Sequence, residues 1–451
     1  MSPRNSSSVY ASDEPLPSDE EAKRISNAID ESLRQERELR KKKRTREVKV
    51  MLLGQAESGK STLQKQFQLY YASHSLERER PLWRPIVYSN ILKALQTILN
   101  ELDHQFGGGS SPEPTPSTSA ASSSTSFPIH ESSWPEDLAQ LRTNLQPLLD
   151  SEDALASEVS GGIRVGGGRS GVYVRAGWQA LITPSRILPL SDIRDAAAPS
   201  VATNDVSRLL FQTQDDVAQF WAHPAVRKMV STNRVHLEES TAFFLDNIRR
   251  IADPEYVPST DDILHVRLQT LGVKEHSFDI DIGGIRFNWL LYDVGGARGQ
   301  RHAWVPYFED ATAIIFLAPM SAFDQYLEED PRMNRIDDSL QLFTAICQNK
   351  LLAKSALILM LNKADLLRKK LESGLRVRKF ISSYGDRPNT YDEVSEYFRA
   401  HFIQTHRRKD ISNRPLYTHF TSMLDIKATQ SIIVSVGEAI MRSHMSSVGL
   451  S

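Results

Sequence analysis

One nonapeptide limits the fold of this chain more than any other feature. Gly54-Gln55-Ala56-Glu57-Ser58-Gly59-Lys60-Ser61-Thr62 has the form G-x-x-x-x-G-K-S and lies between an apolar run, Val48 to Leu53, and a helical stretch from Ser61. The apolar run predicts a short buried strand, because it is continuous and ends in a glycine-containing turn. Gly54 and Gly59 permit a tight backbone path in which successive amides and the helix amino terminus face phosphate oxygens. In that setting Glu57, Ser58, Gly59, Lys60, Ser61 and Thr62 surround the phosphates of a nucleotide. Lys60 is expected to reach the β and γ phosphates, and Ser61 to place its hydroxyl on Mg2+.

Two later elements sharpen this reading. Asp293-Val294-Gly295-Gly296 ends another apolar strand, where Asp293 suits a water-mediated hold on Mg2+ and the Gly296 amide is free to sense a γ phosphate. Asn362-Lys363-Ala364-Asp365 follows the apolar strand that ends at Leu361. The Asp365 carboxylate can accept both donor hydrogens on a guanine edge, whereas adenine presents a different donor and acceptor pattern. Asn362 is expected to tie the base-binding loops together, with the Lys363 stem packed on the base. A solvated turn accounts for either tetrapeptide alone; three such elements in order at strand ends point to a guanine nucleotide.

The rest of the chain reads as an α/β domain interrupted by a helical one. Residues 1 to 20 have the Ser, Pro, Asp and Glu content of a disordered tail, and Glu21 to Arg46 predicts a charged helix with Ile25, Ile29, Leu33 and Leu39 as a thin apolar stripe. That helix is either an exposed end or a partner-docking surface. Further strands are expected at Ser277 to Ile282, Ile285 to Tyr292, Thr312 to Leu317, Ala356 to Leu361 and Leu416 to Phe420. With Val48 to Leu53 they form one mostly parallel sheet, covered by helices that include Ile336 to Asn349 and Ile426 to Met441. The expected boundaries are 1–46 for tail and helix, 47–75 for the first part of the nucleotide domain, 76–257 for the helical domain, and 258–451 for the remainder. Flexible insertions are expected around 107–133 and 161–171, where Gly, Ser, Thr and Pro cannot repay the entropy of ordering.

Composition excludes several classes. Lys+Arg 54 against Asp+Glu 56 leaves a net charge of −2, which gives no overall drive towards nucleic acid or an anionic membrane. Cys347 is the one cysteine, so a disulfide scaffold and a cysteine metal cluster are both excluded. Ser2 is not the Gly that myristoylation requires, and Cys347 lies far from the amino terminus; membrane attachment is therefore expected to depend on a partner.

Taken with Phe308-Glu309-Asp310-Ala311-Thr312-Ala313-Ile314-Ile315-Phe316, the three elements resemble those of heterotrimeric G-protein alpha subunits, over most of residues 45 to 105 and 235 to 451. The resemblance implies a P-loop GTPase-like domain interrupted by an all-helical domain, with GDP or GTP and Mg2+ in the cleft between them. It implies receptor-catalysed GDP release, a beta-gamma dimer as partner in the GDP state, and a downstream effector after GTP binding. It places the chain on the cytoplasmic side of the plasma membrane and in the cytoplasm, peripheral and held through partners. By the same resemblance Arg267 is the arginine that stabilises charge on the departing γ phosphate, Thr270 a ligand of Mg2+, and Glu57 a partner for Arg267 in the disengaged site. The last helix and the tail Val448-Gly449-Leu450-Ser451 resemble the receptor-contacting end, apart from the terminal Ser.

Several positions depart from the family pattern. Asp-Val-Gly-Gly-Gln is Asp293-Val294-Gly295-Gly296-Ala297 here, so a methyl group stands where the family's water-orienting glutamine is expected. Ala56 replaces a Gly beside the γ phosphate, and Met423 occupies the place whose backbone amide meets guanine O6. Gln300 is close in sequence, but its displacement by three residues is expected to redirect the side chain away from the lost water contact. Arg298 and Arg301 are expected to exchange polar contacts on GTP binding, and Trp304 to serve as a core residue or an interface anchor. Two activities follow as candidates: slow Mg-dependent GTP hydrolysis, or a hydrolysis-impaired GTP switch or scaffold. An unrelated P-loop ATPase is disfavoured by the guanine-recognition tetrapeptide.

Overall fold

The computed structural model describes residues 19–106, 134–160, 172–173, 201–232, 237, 240–270, 272–282, 284–327 and 329–447. The expected flexible insertions, the first eighteen residues of the tail and the terminal tetrapeptide lie outside these. Helix α1 (Asp19–Arg46) begins two residues earlier than expected, so Asp19 and Glu20 belong to it and not to the tail.

A six-stranded sheet carries the site. Its strands are β1 (Glu47–Gly54), β4 (Val273–Ile282), β5 (Ile285–Val294), β6 (Ala313–Pro319), β7 (Ala356–Asn362) and β8 (Leu416–Phe420). The order is β4-β5-β1-β6-β7-β8, all parallel except the β4–β5 hairpin. Continuous apolar strands suit this arrangement because both faces are covered. Side chains of β1 alternate accordingly: Val48, Val50 and Leu52 join a core with Leu63, Phe67, Ile433, Val436 and Ile440. Met51 and Leu53 join the opposite core, with Phe343, Phe398 and Phe402. The first core is closed by α2 (Lys60–Tyr71) and α11 (Ile426–Ser447), the second by α8 (Arg335–Gln348) and α10 (Tyr391–Lys409).

Between β1 and β4 the chain makes a long helical excursion through α3 (Arg84–Phe106), α4 (Glu136–Asp150), α5 (Glu152–Ser160), α6 (Val201–Ala222) and α7 (Thr260–His265). Their apolar faces form a separate core running from Leu76 to Val266, with Ile91, Leu145 and Phe220 fully buried. The middle region is not wholly helical: β2 (Val172–Tyr173) pairs in parallel with β3 (Leu268–Gln269). A two-residue strand is too short to show the alternation that would reveal it in sequence.

The chain leaves β1 for the β4–β5 side of the sheet and then crosses from β5 to β6 on the other side of β1, which opens a crevice at the carboxyl end of β1. The phosphate loop, Asp293-Val294-Gly295-Gly296 and Asn362-Lys363-Ala364-Asp365 all occupy that edge, the last continuing into α9 (Ala364–Glu372).

Candidate nucleotide site

A cleft of about 1870 Å³ opens at this edge, lined by residues of the phosphate loop, the Arg267 loop and the Asn362 loop. Glu57, Gly59, Lys60, Ser61, Thr62, Arg267, Thr270, Gly296, Asn362, Lys363, Asp365 and Met423 all face it. Ser58 and Asp293 are buried just behind its wall.

Close packing explains the glycines. Gly59 has φ +99°, and a Cβ there would stand 2.2 Å from Asn362 Nδ2. A Cβ on Gly296 would stand 2.3 Å from the Ala56 backbone nitrogen, so this strand end and the phosphate loop meet backbone to backbone. Asn362 fastens the loops, donating from Nδ2 to the Ser58 carbonyl at 2.8 Å and accepting from Thr421 Oγ1 at 3.1 Å. The Asp365 carboxylate accepts from Ser422 Oγ at 2.7 Å, and the Met423 carbonyl accepts from Gln66 Nε2 at 2.8 Å. These bonds hold the three base-side segments together.

Lys60 is buried and donates to the carbonyls of Gly54 at 3.0 Å and Gln55 at 2.5 Å. Burial pulls its pKa down to about 8, against the opposing attraction of Asp293. The Ser61 and Thr270 hydroxyls lie 3.0 Å apart and both donate to Asp293 Oδ2, at 2.6 and 3.0 Å. Asp293 Oδ1 is buried with no hydrogen-bond partner among the described residues. Two hydroxyls and a carboxylate with a spare oxygen are hard donors of the kind Mg2+ prefers. The donor set therefore fits the ion, although no group of three His, Cys, Asp or Glu placed to hold a metal occurs among the described residues.

Arg267 and Glu57 meet, with Arg267 Nη2 2.6 Å from Glu57 Oε1. Arg267 and the segment just before it are gripped by two helices. Asn90 of α3 accepts from the Arg267 N–H at 3.0 Å and donates to its carbonyl at 3.2 Å. From α2, the buried Lys65 donates to the carbonyls of Ile263 at 2.7 Å and Val266 at 2.8 Å. A capping box between Ser259 and Asp262 fixes the start of the helix that leads to this loop.

Three participants escape sequence reasoning. Arg335 donates to Glu57 Oε2 at 2.7 Å and also bonds the Ala56 carbonyl. Burial pushes the Glu57 carboxyl up, but the Arg335 and Arg267 guanidinium groups outweigh it and hold that carboxyl well below the usual range. Asp338, one turn further along α8, takes Arg301 at 2.6 Å, Arg298 at 3.0 Å and the Gln55 amide at 2.7 Å. In sequence, Arg335 and Asp338 look like ordinary charges in the first turn of a helix; only α8 packing under the phosphate loop distinguishes them. Lys65 reads as a solvated lysine within a mixed helix. Trp304 resolves as a core residue, buried, with Nε1 donating to the Gly295 carbonyl at 3.0 Å.

The comparisons agree with this geometry. The family description G-protein alpha subunit matches residues 23–440. A guanine nucleotide-binding protein alpha-4 subunit from Mycosarcoma maydis is 32% identical, over 90% of this chain and 84% of that relative. With a P-loop domain interrupted by an all-helical one, and a match over nearly its whole length, the chain belongs to the G-protein alpha subunit family of guanine nucleotide-binding transducers.

Proposed function

We propose that the chain is the nucleotide-switching subunit of a heterotrimeric G protein, exchanging GDP for GTP and hydrolysing GTP slowly in the presence of Mg2+. The observation that carries this reading is the meeting of the Ser61 and Thr270 hydroxyls on one oxygen of Asp293, whose other oxygen has no hydrogen-bond partner among the described residues, at a cleft that Lys60 and Asp365 also line. Residues 47–75 and 258–451 form the nucleotide domain, and 76–257 the helical domain that covers it.

Lys60 and the loop amides bind the phosphates, while Asp365 and the Met423 amide select guanine. Ser61, Thr270 and Asp293 would hold Mg2+, which supplies charge neutralisation between the phosphates when bound. Arg267 leaves Glu57 and turns towards the γ phosphate, where its fixed charge favours the departing electrons. Ala297 has no hydrogen-bonding group with which to orient water, so turnover is slow. The same substitution supports a second reading, a hydrolysis-impaired switch or scaffold; absence of phosphate release from bound GTP would select it.

A beta-gamma dimer, a membrane receptor and an effector are the proposed partners, at the cytoplasmic face of the plasma membrane and in the cytoplasm. Ile29 and Leu33 on α1 are 54% and 44% exposed, which suits a docking helix. No helix among the described residues is long and apolar enough to cross a membrane, so attachment through partners is consistent with the fold.

Competition binding tests the core of the proposal. GTP and GDP are expected to displace a fluorescent guanine nucleotide, ATP at equal concentration is not, and chelating Mg2+ is expected to weaken GTP. Asp365→Ala is expected to lower the preference for GTP over ATP about 100-fold, because the guanine donors lose a charged acceptor worth about 2–3 kcal/mol. Equal binding of ATP and GTP by the unaltered protein would overturn the assignment.

A further inference from the structure

Gln55 stands where the phosphate loop, α8 and the Arg298–Tyr307 segment come together. Its backbone lies against the strand end that precedes the segment: a Cβ built on Gly296 would stand 2.3 Å from the Gln55 carbonyl carbon and 2.5 Å from its oxygen. Its side chain reaches α8. The residue is buried, and its amide uses both hydrogens there, Nε2 donating to the Arg335 carbonyl at 2.6 Å and to Asp338 Oδ2 at 2.7 Å. In the proposed function the loop binds phosphate through backbone amides and Lys60, which gives this buried side chain no part.

What the amide holds is Asp338. Oδ2 of that carboxylate accepts from Gln55 and, at 2.6 Å, from Arg301 Nη2, while Oδ1 accepts from Arg298 Nε at 3.0 Å and Arg301 Nη1 at 3.2 Å. Burial pushes the Asp338 carboxyl up, but the two guanidinium groups and the Gln55 amide outweigh it and hold it below the usual range. Arg301 Nε also donates to the Gly296 carbonyl at 3.4 Å, so the segment is fastened at its start and along its first turn. Both arginines belong to the segment being held, whereas Gln55 belongs to the loop. The amide therefore gives their acceptor a footing that does not move with the segment. The links from Gln55 through Asp338 to Arg298 and Arg301 are all made by groups of this chain, and none of them requires a γ phosphate.

We propose that Gln55 is a positioning residue that latches the Arg298–Tyr307 segment to α8, so that the segment is already ordered with GDP bound and does not wait for GTP. The proposal rests on the GTPase reading above and goes beyond it. Arg298 and Arg301 then keep Asp338 as a partner in both nucleotide states.

Hydrogen exchange read by mass spectrometry tests the latch on the full chain, saturated with Mg2+ and either GDP or a non-hydrolysable GTP analogue. In the unaltered protein, residues 298–307 are expected to exchange at rates within about fivefold of each other in the two states. Gln55→Ala is expected to speed exchange there about tenfold or more with GDP, as when a buried charged acceptor loses a donor, and to leave strands β6 and β7 unchanged. Gln55→Glu sets a second carboxylate against Asp338 and is expected to speed exchange at least as much. Adding Asp338→Asn reverses the amide and the carboxylate, leaves one negative charge for the two arginines, and is expected to slow exchange again about tenfold. Lost packing alone would not be rescued in this way, and the reversed pair covers the case in which the alanine variant does not fold.

Unchanged exchange in Gln55→Ala, or no recovery in the reversed pair, would overturn the role of Gln55. So would an unaltered protein whose segment exchanges more than about fivefold faster with GDP than with the analogue. Failure of the unaltered protein to bind either nucleotide would overturn the GTPase reading itself, which separates the two outcomes.

Discussion

Arg267→Ala is expected to slow single-turnover phosphate release about 100-fold or more while changing GTP affinity less than about tenfold. An arginine supplied to the γ phosphate is worth about three to five powers of ten in phosphoryl transfer, a range general to this enzyme class and not calculated from this chain. A floor of about 100-fold, below that range, is expected here because a site lacking the usual glutamine starts from a slower rate. Ground-state binding is expected to be less affected, since Arg267 is engaged by Glu57 in the structure and Lys60 is the proposed main phosphate contact. Arg267→Lys is expected to restore little: a compact ammonium lacks the planar fork that can span two oxygens. Equal rates for Arg267→Ala and the unaltered protein, with GTP bound in both, would remove Arg267 from the mechanism.

Lys60→Ala is expected to weaken GTP binding about 100-fold or more, as about 3 kcal/mol is lost with a buried charge-assisted contact. The same side chain predicts a pH dependence whose sign is fixed. Burial brings the Lys60 ammonium down to about 8, and phosphate oxygens are expected to restore its affinity for the proton. Above pH 8, binding must therefore take up a proton, and affinity is expected to fall by up to about tenfold per unit. Titration calorimetry between pH 7 and 9.5, in buffers of different ionisation enthalpy, reads this uptake directly. A guanidinium stays charged throughout the range, so Lys60→Arg is expected to lose the pH slope; an unaltered slope would assign the effect to another group.

What the sequence reveals and what it hides have physical causes. Strands β6 and β7 read clearly because each is an apolar run buried along its whole length, and β5 because its carboxyl half is; the glycine and carboxylate motifs follow the ends of β5 and β7, where loop chemistry needs particular residues. Arg335 and Asp338 are hidden because their importance depends on α8 packing beneath Gln55 and the rest of the phosphate loop, 280 residues earlier in the chain. Gln300 shows the reverse problem. Three residues from Ala297, it reads as displaced, but the tight turn of Arg298–Tyr307 folds it back beside Gly295. The two-residue β2–β3 pairing was lost for want of length.

The grip on Arg267 has a further consequence. Asn90 holds its backbone, and Lys65 holds the carbonyls of Ile263 and Val266 just before it, from two different helices of the same chain, so its position is not borrowed from a passing molecule. In the proposed cycle, the lifetime of the GTP-bound form is then a first-order constant. Dilution, expression level and crowding leave it unchanged, and the chain keeps its own time.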